Sequence, residues 1–193
     1  MIKYKKYKRD KMSLNQEKIT KAWFFASVAH KEQTYPGQGL PYLTHIGNVM
    51  LEVMGVASTL ESAELALCCA ILHDTIEDTD VTYDEIVKEF GEAVANGVQA
   101  LTKDDRLATK REKMIDSLER IKKQPKEVWA VKMADRVANL GEPPHYWALE
   151  KRTRYQEEAQ IIWDYLHEAN EALAKRLEEK IEEYSTYLVE DNI

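Results

Sequence analysis

The chain has little of what interrupts or staples a polypeptide: 7 Gly, 5 Pro and 2 Cys in 193 residues. So few turn formers favour long helices and argue against many short strands joined by tight turns. The two cysteines, Cys68 and Cys69, are neighbours in ELALCCAIL. Adjacent helical residues point about 100° apart, so a disulfide between them would be strained. They read as small buried hydrophobes in a reducing, cytoplasmic compartment. No apolar run reaches about 18 residues, so no membrane span is expected. The basic start MIKYKKYKRDK lacks the apolar stretch of a secretory signal. Positive charge is not in excess either. A formal net charge of -7 argues against nonspecific nucleic-acid binding, which needs a basic surface. A single nucleotide pocket needs only a few local cations and stays compatible with that balance.

What is present fits one globular domain: 44% hydrophobic and 32% charged residues, in a length that suits a single sizeable core. Residues 1–12 carry six Lys/Arg against one Asp and read as a basic leader ahead of a domain over 13–193. From Ser13 the pattern is helical, with Ile19, Ala22, Trp23, Ala26 and His30 on one face. Two Pro and two Gly in QTYPGQGLP predict a loop over Gln33–Pro41. Helices are expected over about 43–54, then over Ser58–Ile76 as one buried central helix, and from the capping box Thr82/Glu85 to Gly91. Others follow at about 92–102, 107–123 and 126–140, the last stopped by Pro143-Pro144. In the tail, Leu173, Leu177, Ile181, Tyr184 and Leu188 form an apolar stripe, spaced to pack on the core or on a second copy of the chain. No stretch alternates as a strand does. The predicted class is all-α.

The chemistry-bearing stretch is AILHDTIEDTD. His73 and Asp74 end an apolar segment, where a charge needs a partner or a metal. Spacing of four places Glu77 over His73 and Asp78 over Asp74. Asp74, Glu77, Asp78 and Asp80 crowd four carboxylates together, which a cation would offset. Taken alone, this fits either a cation site or a solvated acidic helix end. His45 opens a helix after the Gly/Pro loop. Asp135 lies in an apolar helix with Asn139 one turn on and Arg136 as the expected salt-bridge partner. His45, His73, Asp74 and Asp135 together make a mixed nitrogen and oxygen set suited to Mn, Zn, Fe or a similar divalent ion.

The order AHKEQ, GLPYLTH, AILHDTIEDTDVTYDEIVKEFG, LTK and KMADRVANL resembles the HD phosphohydrolases, an all-α helical bundle family. It is most similar to the hydrolase domain of the RelA/SpoT homologs and the small alarmone hydrolases. The resemblance implies that His45, His73, Asp74 and Asp135 hold one Mn²⁺. It implies that Glu77 and Asp78 position and deprotonate water, which attacks the 3′-pyrophosphate of a (p)ppGpp-like nucleotide. It also puts Asn139 and Tyr155 near the nucleotide, and Lys103 is the cation expected at its phosphates. One departure bears on the substrate. Where the family carries an Arg-Lys pair, this chain reads Thr34-Tyr35-Pro36-Gly37. Tyr35 offers a stacking surface in place of a cation, which leaves adenine alarmones, NADPH and other phosphorylated nucleotides beside guanine ones. A different HD phosphatase and a non-catalytic nucleotide-sensing module are the alternative readings. His30, His145 and His167 read as structural.

Overall fold

The computed structural model describes residues 14–35 and 39–189. The expected leader over residues 1–12 and the pair Pro36-Gly37 lie outside them. Among the described residues there is no strand, only an isolated bridge between Thr34 and Pro41. The rest is helix and connector. α1 (Gln16–Ala29), α2 (Leu43–Val56) and α3 (Ala63–Leu72) come first, then a one-turn α4 (Thr75–Asp78). α5 (Tyr83–Phe90), α6 (Glu92–Leu101), α7 (Lys110–Ile121) and α8 (Lys126–Asn139) follow, and α9 (Leu149–Leu166) and α10 (Glu171–Tyr184) close the bundle.

Local chemistry sets these boundaries. Asn15, Ser62, Thr109 and Asn170 each cap a helix by accepting from a backbone N–H in its first turn. Thr82 and Glu85 form the predicted reciprocal capping box of α5, and Gly91 ends that helix at φ 88°. Thr109 and Glu112 form a second such box. α10 buries Leu173, Leu177, Ile181 and Tyr184, as its stripe implies. Leu188 falls after the helix, beyond the short turn Ser185–Tyr187.

The continuous helix expected over Ser58–Ile76 is not formed. A 3-10 turn at Ala57–Thr59 precedes Ser62, α3 stops at Leu72, and α4 starts only at Thr75. Side chains divert the backbone at that break. His73 Nδ1 faces the Ala70 carbonyl at 2.9 Å, and Thr75 Oγ1 donates to the Leu72 carbonyl at 2.7 Å. Asp74 sits between them at φ -100°, ψ 0°. The chain therefore turns at the two residues that the sequence marks for chemistry.

α3 is the central element, with eight of its ten residues buried, and it packs against α1, α2, α6 and α8. α8 also meets α2, α9 and α10. Cys68 and Cys69 are both buried and unbridged in α3. Among the described glycines, Gly97 of α6 is the one packed most tightly against its neighbours. A Cβ there would stand 2.7 Å from Cys69 Sγ and 3.0 Å from Val128 Cγ2. Gly97→Ala would gain about 1 kcal/mol of helix propensity and lose about 1–3 kcal/mol to overpacking. Thermal melting is expected to show a net loss of several degrees, with the penalty reduced in a Cys69→Ala background. A higher melting temperature for Gly97→Ala alone would mean that the helices are not in this close contact.

Candidate metal centre and adjoining cavity

Two helices and the break after α3 bring four candidate donors together; His45, His73 and Asp135 form one cluster with ligand atoms all within 4.8 Å of one another, and Asp74 flanks it. His45 lies in the first turn of α2, His73 and Asp74 at the break, and Asp135 in α8. His45 Nε2 is 3.2 Å from His73 Nε2, 3.5 Å from Asp74 Oδ2 and 3.5 Å from Asp135 Oδ1. His73 Nε2 is 2.9 Å from Asp74 Oδ2 and 3.9 Å from Asp135 Oδ1. Donors about 2.1 Å from a common ion stand about 3.0 Å apart at right angles and about 4.2 Å apart when opposed. The observed separations fall in that range.

The surroundings suit a cation. Both imidazoles are buried, and the Ala70 carbonyl holds the Nδ1 proton of His73, leaving its Nε2 lone pair turned to the cluster. Burial opposes charge on His73, but Asp74 and then Asp135 push its pKa up to about 9. Burial likewise opposes ionisation of Asp74, yet His73 and His45 hold it well below the usual carboxylate range. Asp135 is lowered too; there burial is outweighed by Lys132, His73 and His45. The carboxylates thus create a demand for positive charge that protons meet on His73, and that a divalent ion would meet with all four donors. The chain's own residues fit such an ion.

His45 Nδ1 is buried without a hydrogen-bond partner among the described residues, whereas the other donors and the nearby acids are each held by a neighbour. Tyr42 Oη donates to Asp74 Oδ2 at 2.6 Å. Lys132 Nζ and Asn139 Nδ2 donate to the two oxygens of Asp135, at 3.0 and 2.7 Å. Lys103 grips Glu77 twice, through Nζ at 2.6 Å and its backbone N–H at 2.9 Å. Asp78 accepts from Gln33 Nε2 at 3.0 Å, and Gln33 Oε1 meets His30 Nδ1 at 2.6 Å. All but His30 and Gln33 line a small polar cavity of about 140 Å³ over the four donors.

Asn139 also lines a second cavity of about 580 Å³, walled by Tyr35, Trp147, Tyr155, Tyr184 and His145. Its rings are braced from several sides. Tyr35 stacks on His45 with centroids 5.7 Å apart and planes at 16°. The Arg136 guanidinium carbon lies 4.3 Å from the Tyr155 centroid, and Lys151 Nζ lies 3.8 Å from that of Trp147. Burial pushes the Tyr155 hydroxyl up to about 12.

Residues 22–174 match the family described as HD domain. The chain belongs to that family. It is 30% identical over 161 residues to the zebrafish (Danio rerio) guanosine-3′,5′-bis(diphosphate) 3′-pyrophosphohydrolase MESH1, covering 80% of this chain and 87% of the relative. It is 34% identical over 151 residues to the guanosine-3′,5′-bis(diphosphate) 3′-pyrophosphohydrolase of Aquifex aeolicus, covering 76% of this chain but 20% of that longer protein. Among solved structures it is similar to the one described as "A metazoan ortholog of SpoT hydrolyzes ppGpp and plays a role in starvation responses". There the TM-score is 0.76, with 29% identity, 89% of this chain and 97% of the other covered.

In this HD domain the sequence-predicted residues fall into two groups. His45, His73, Asp74, Glu77, Asp78, Lys103, Asp135 and Asn139 meet around the small cavity. Tyr35 and Tyr155 meet Asn139 around the large one. One pairing is corrected. Asp135 does not pair with Arg136, whose side chain leaves α8 about 100° away. Arg136 Nη2 approaches Glu158 at 3.9 Å instead, and Asp135 takes Lys132, three residues earlier on its own face. Sequence reading also missed Tyr42 and Gln33. It left His30 and His145 as structural; His30 is buried and holds Gln33, while His145 lines the large cavity. Spacing of three from His45 and from His30 was the available signal for Tyr42 and Gln33. No helix among the described residues is long and apolar enough to cross a membrane.

Proposed function

We propose that this HD-domain protein is a Mn²⁺-dependent 3′-pyrophosphohydrolase of (p)ppGpp-like nucleotides. The carrying observation is the cluster of His45, His73 and Asp135, with Asp74 Oδ2 within 3.5 Å of both imidazoles and Glu77 and Asp78 on the same small cavity. The names of the similar proteins support the choice of substrate. The mixed nitrogen and oxygen donors support Mn²⁺, and the free, buried Cys68 and Cys69 support a cytoplasmic setting.

A divalent ion held by the four donors would polarise a phosphoryl oxygen and acidify water. The protein's own residues then supply the rest. Glu77 and Asp78 orient the attacking water and take its proton. Lys103, fixed on Glu77, keeps that carboxylate in place and faces the phosphates with positive charge. Tyr35, Tyr155 and Asn139 hold the nucleoside in the larger cavity, so that its 3′ end lies over the metal centre. The water oxygen bonds to the phosphorus on the ribose 3′ oxygen as that P–O bond breaks. Pyrophosphate and the nucleoside 5′-di- or triphosphate leave, the 3′ oxygen taking a proton.

Incubation with Mn²⁺ and ppGpp is expected to release pyrophosphate and GDP in equal amounts, and EDTA is expected to stop it. Release of orthophosphate alone, from ppGpp or NADPH, would replace this reading with that of an HD phosphatase. Nucleotide binding without turnover under any divalent ion would make the protein a sensor.

A further inference from the structure

The larger cavity is aromatic and amide-lined, and neither Lys nor Arg is among its lining residues. Two cations lie against the rings of its lining residues, Arg136 on Tyr155 and Lys151 on Trp147. Such a chamber suits a flat, uncharged heteroaromatic ring and offers nothing to a phosphate. Its one carboxylate is Glu142. Glu142 is exposed and makes no hydrogen bond or ion pair with any described residue. It projects from Gly141-Glu142-Pro143-Pro144, the connector between α8 and α9. The two prolines fix their own φ angles and bias the residue before each toward extended backbone, so the carboxylate is presented from a stiff segment.

We propose that Glu142 reads the base and makes guanine the preferred one. This rests on the nucleotide reading of the site above. A carboxylate only accepts hydrogen bonds. Guanine offers it two adjacent donors, the ring N1–H and the 2-amino group, which match its two oxygens as a parallel pair. Hypoxanthine retains the N1–H and lacks the amino group. Adenine turns the N1 lone pair toward the carboxylate, which repels it. The order of binding is therefore guanine, then hypoxanthine, then adenine. The loss of the Arg-Lys pair at Thr34-Tyr35 does not remove guanine selectivity, because the discriminating group lies on the connector between α8 and α9.

The test uses the full chain without added metal and three phosphate-free probes: guanosine, inosine and adenosine, titrated by NMR. Guanosine is expected to bind about tenfold more tightly than adenosine, with inosine between them. Glu142→Ala should compress the three affinities to within about twofold, and Glu142→Gln should retain part of the order through its one remaining acceptor. Equal affinities in the unaltered protein, no measurable binding, or an order that survives Glu142→Ala would each overturn the assignment. Because nucleosides carry no scissile bond, this result stands apart from pyrophosphate release. A base preference without hydrolysis would overturn the enzyme reading alone, and hydrolysis without a preference would overturn the role of Glu142 alone.

Discussion

Replacing His73 by Ala is expected to abolish tight divalent-metal binding and hydrolysis together. His73 Nε2 lies within 3.9 Å of donors from His45, Asp74 and Asp135, so its removal opens one side of the cluster. Even outer-shell partners of metal ligands are worth about 10–100-fold in affinity, and loss of a direct donor should cost more than about 100-fold. The substitution also leaves Asp74 and Asp135 facing each other with less compensating charge, since His73 is a leading source of the lowered Asp74 pKa. Metal content after dialysis, measured by mass spectrometry, and pyrophosphate release under Mn²⁺ are the readouts. Circular dichroism guards against simple unfolding, because His73 is buried and engages the Ala70 carbonyl. His73→Gln, which keeps a polar side chain there, should show the same double loss with the fold retained. Full turnover in either variant would exclude the cluster as the reaction centre.

The properties that made this cluster readable from sequence differ from those that hid its surroundings. Its residues stood out because His, Asp and Glu were set into otherwise apolar helical segments, where a lone charge needs an explanation. α5 and α10 were equally legible, one from its capping box and the other from its stripe. The turn at His73-Asp74 was not. It arises from His73 and Thr75 side chains bonding to carbonyls of α3, a local competition that hydrophobic periodicity does not encode. Arg136 was chosen as the partner of Asp135 by nearness in sequence, whereas helical geometry favours Lys132. Glu142, His145 and Trp147 lie in an irregular connector without period, so nothing in the pattern tied them to Tyr35 over a hundred residues earlier. Folding alone brings those connectors together across α8.

Glu77→Gln is expected to separate metal binding from chemistry. Glu77 is not one of the four converging donors, and both its oxygens are directed to Lys103, at 2.6 Å from Nζ and 2.9 Å from the backbone N–H. Metal affinity should therefore stay within about threefold of the unaltered protein, well short of the 10–100-fold that outer-shell partners can contribute. Turnover should fall by about 10²–10⁴, the usual contribution of a placed general base. A carboxylate held by Lys103 still has lone pairs left for a water, which a carboxamide cannot deprotonate. Gln can keep one bond to Lys103 Nζ through its carbonyl, but its amino group would then oppose the Lys103 N–H, donor against donor. Some local loosening will accompany the chemical loss, and Glu77→Ala measures it by removing both. If Glu77 acts as the base, Gln and Ala variants should be similarly slow, and Asp78→Asn should add a further loss. If Glu77 serves only to anchor Lys103, the Gln variant should retain most of the rate while Ala does not. Single-turnover rates under saturating Mn²⁺ distinguish these outcomes, since each variant is then compared with the same metal bound.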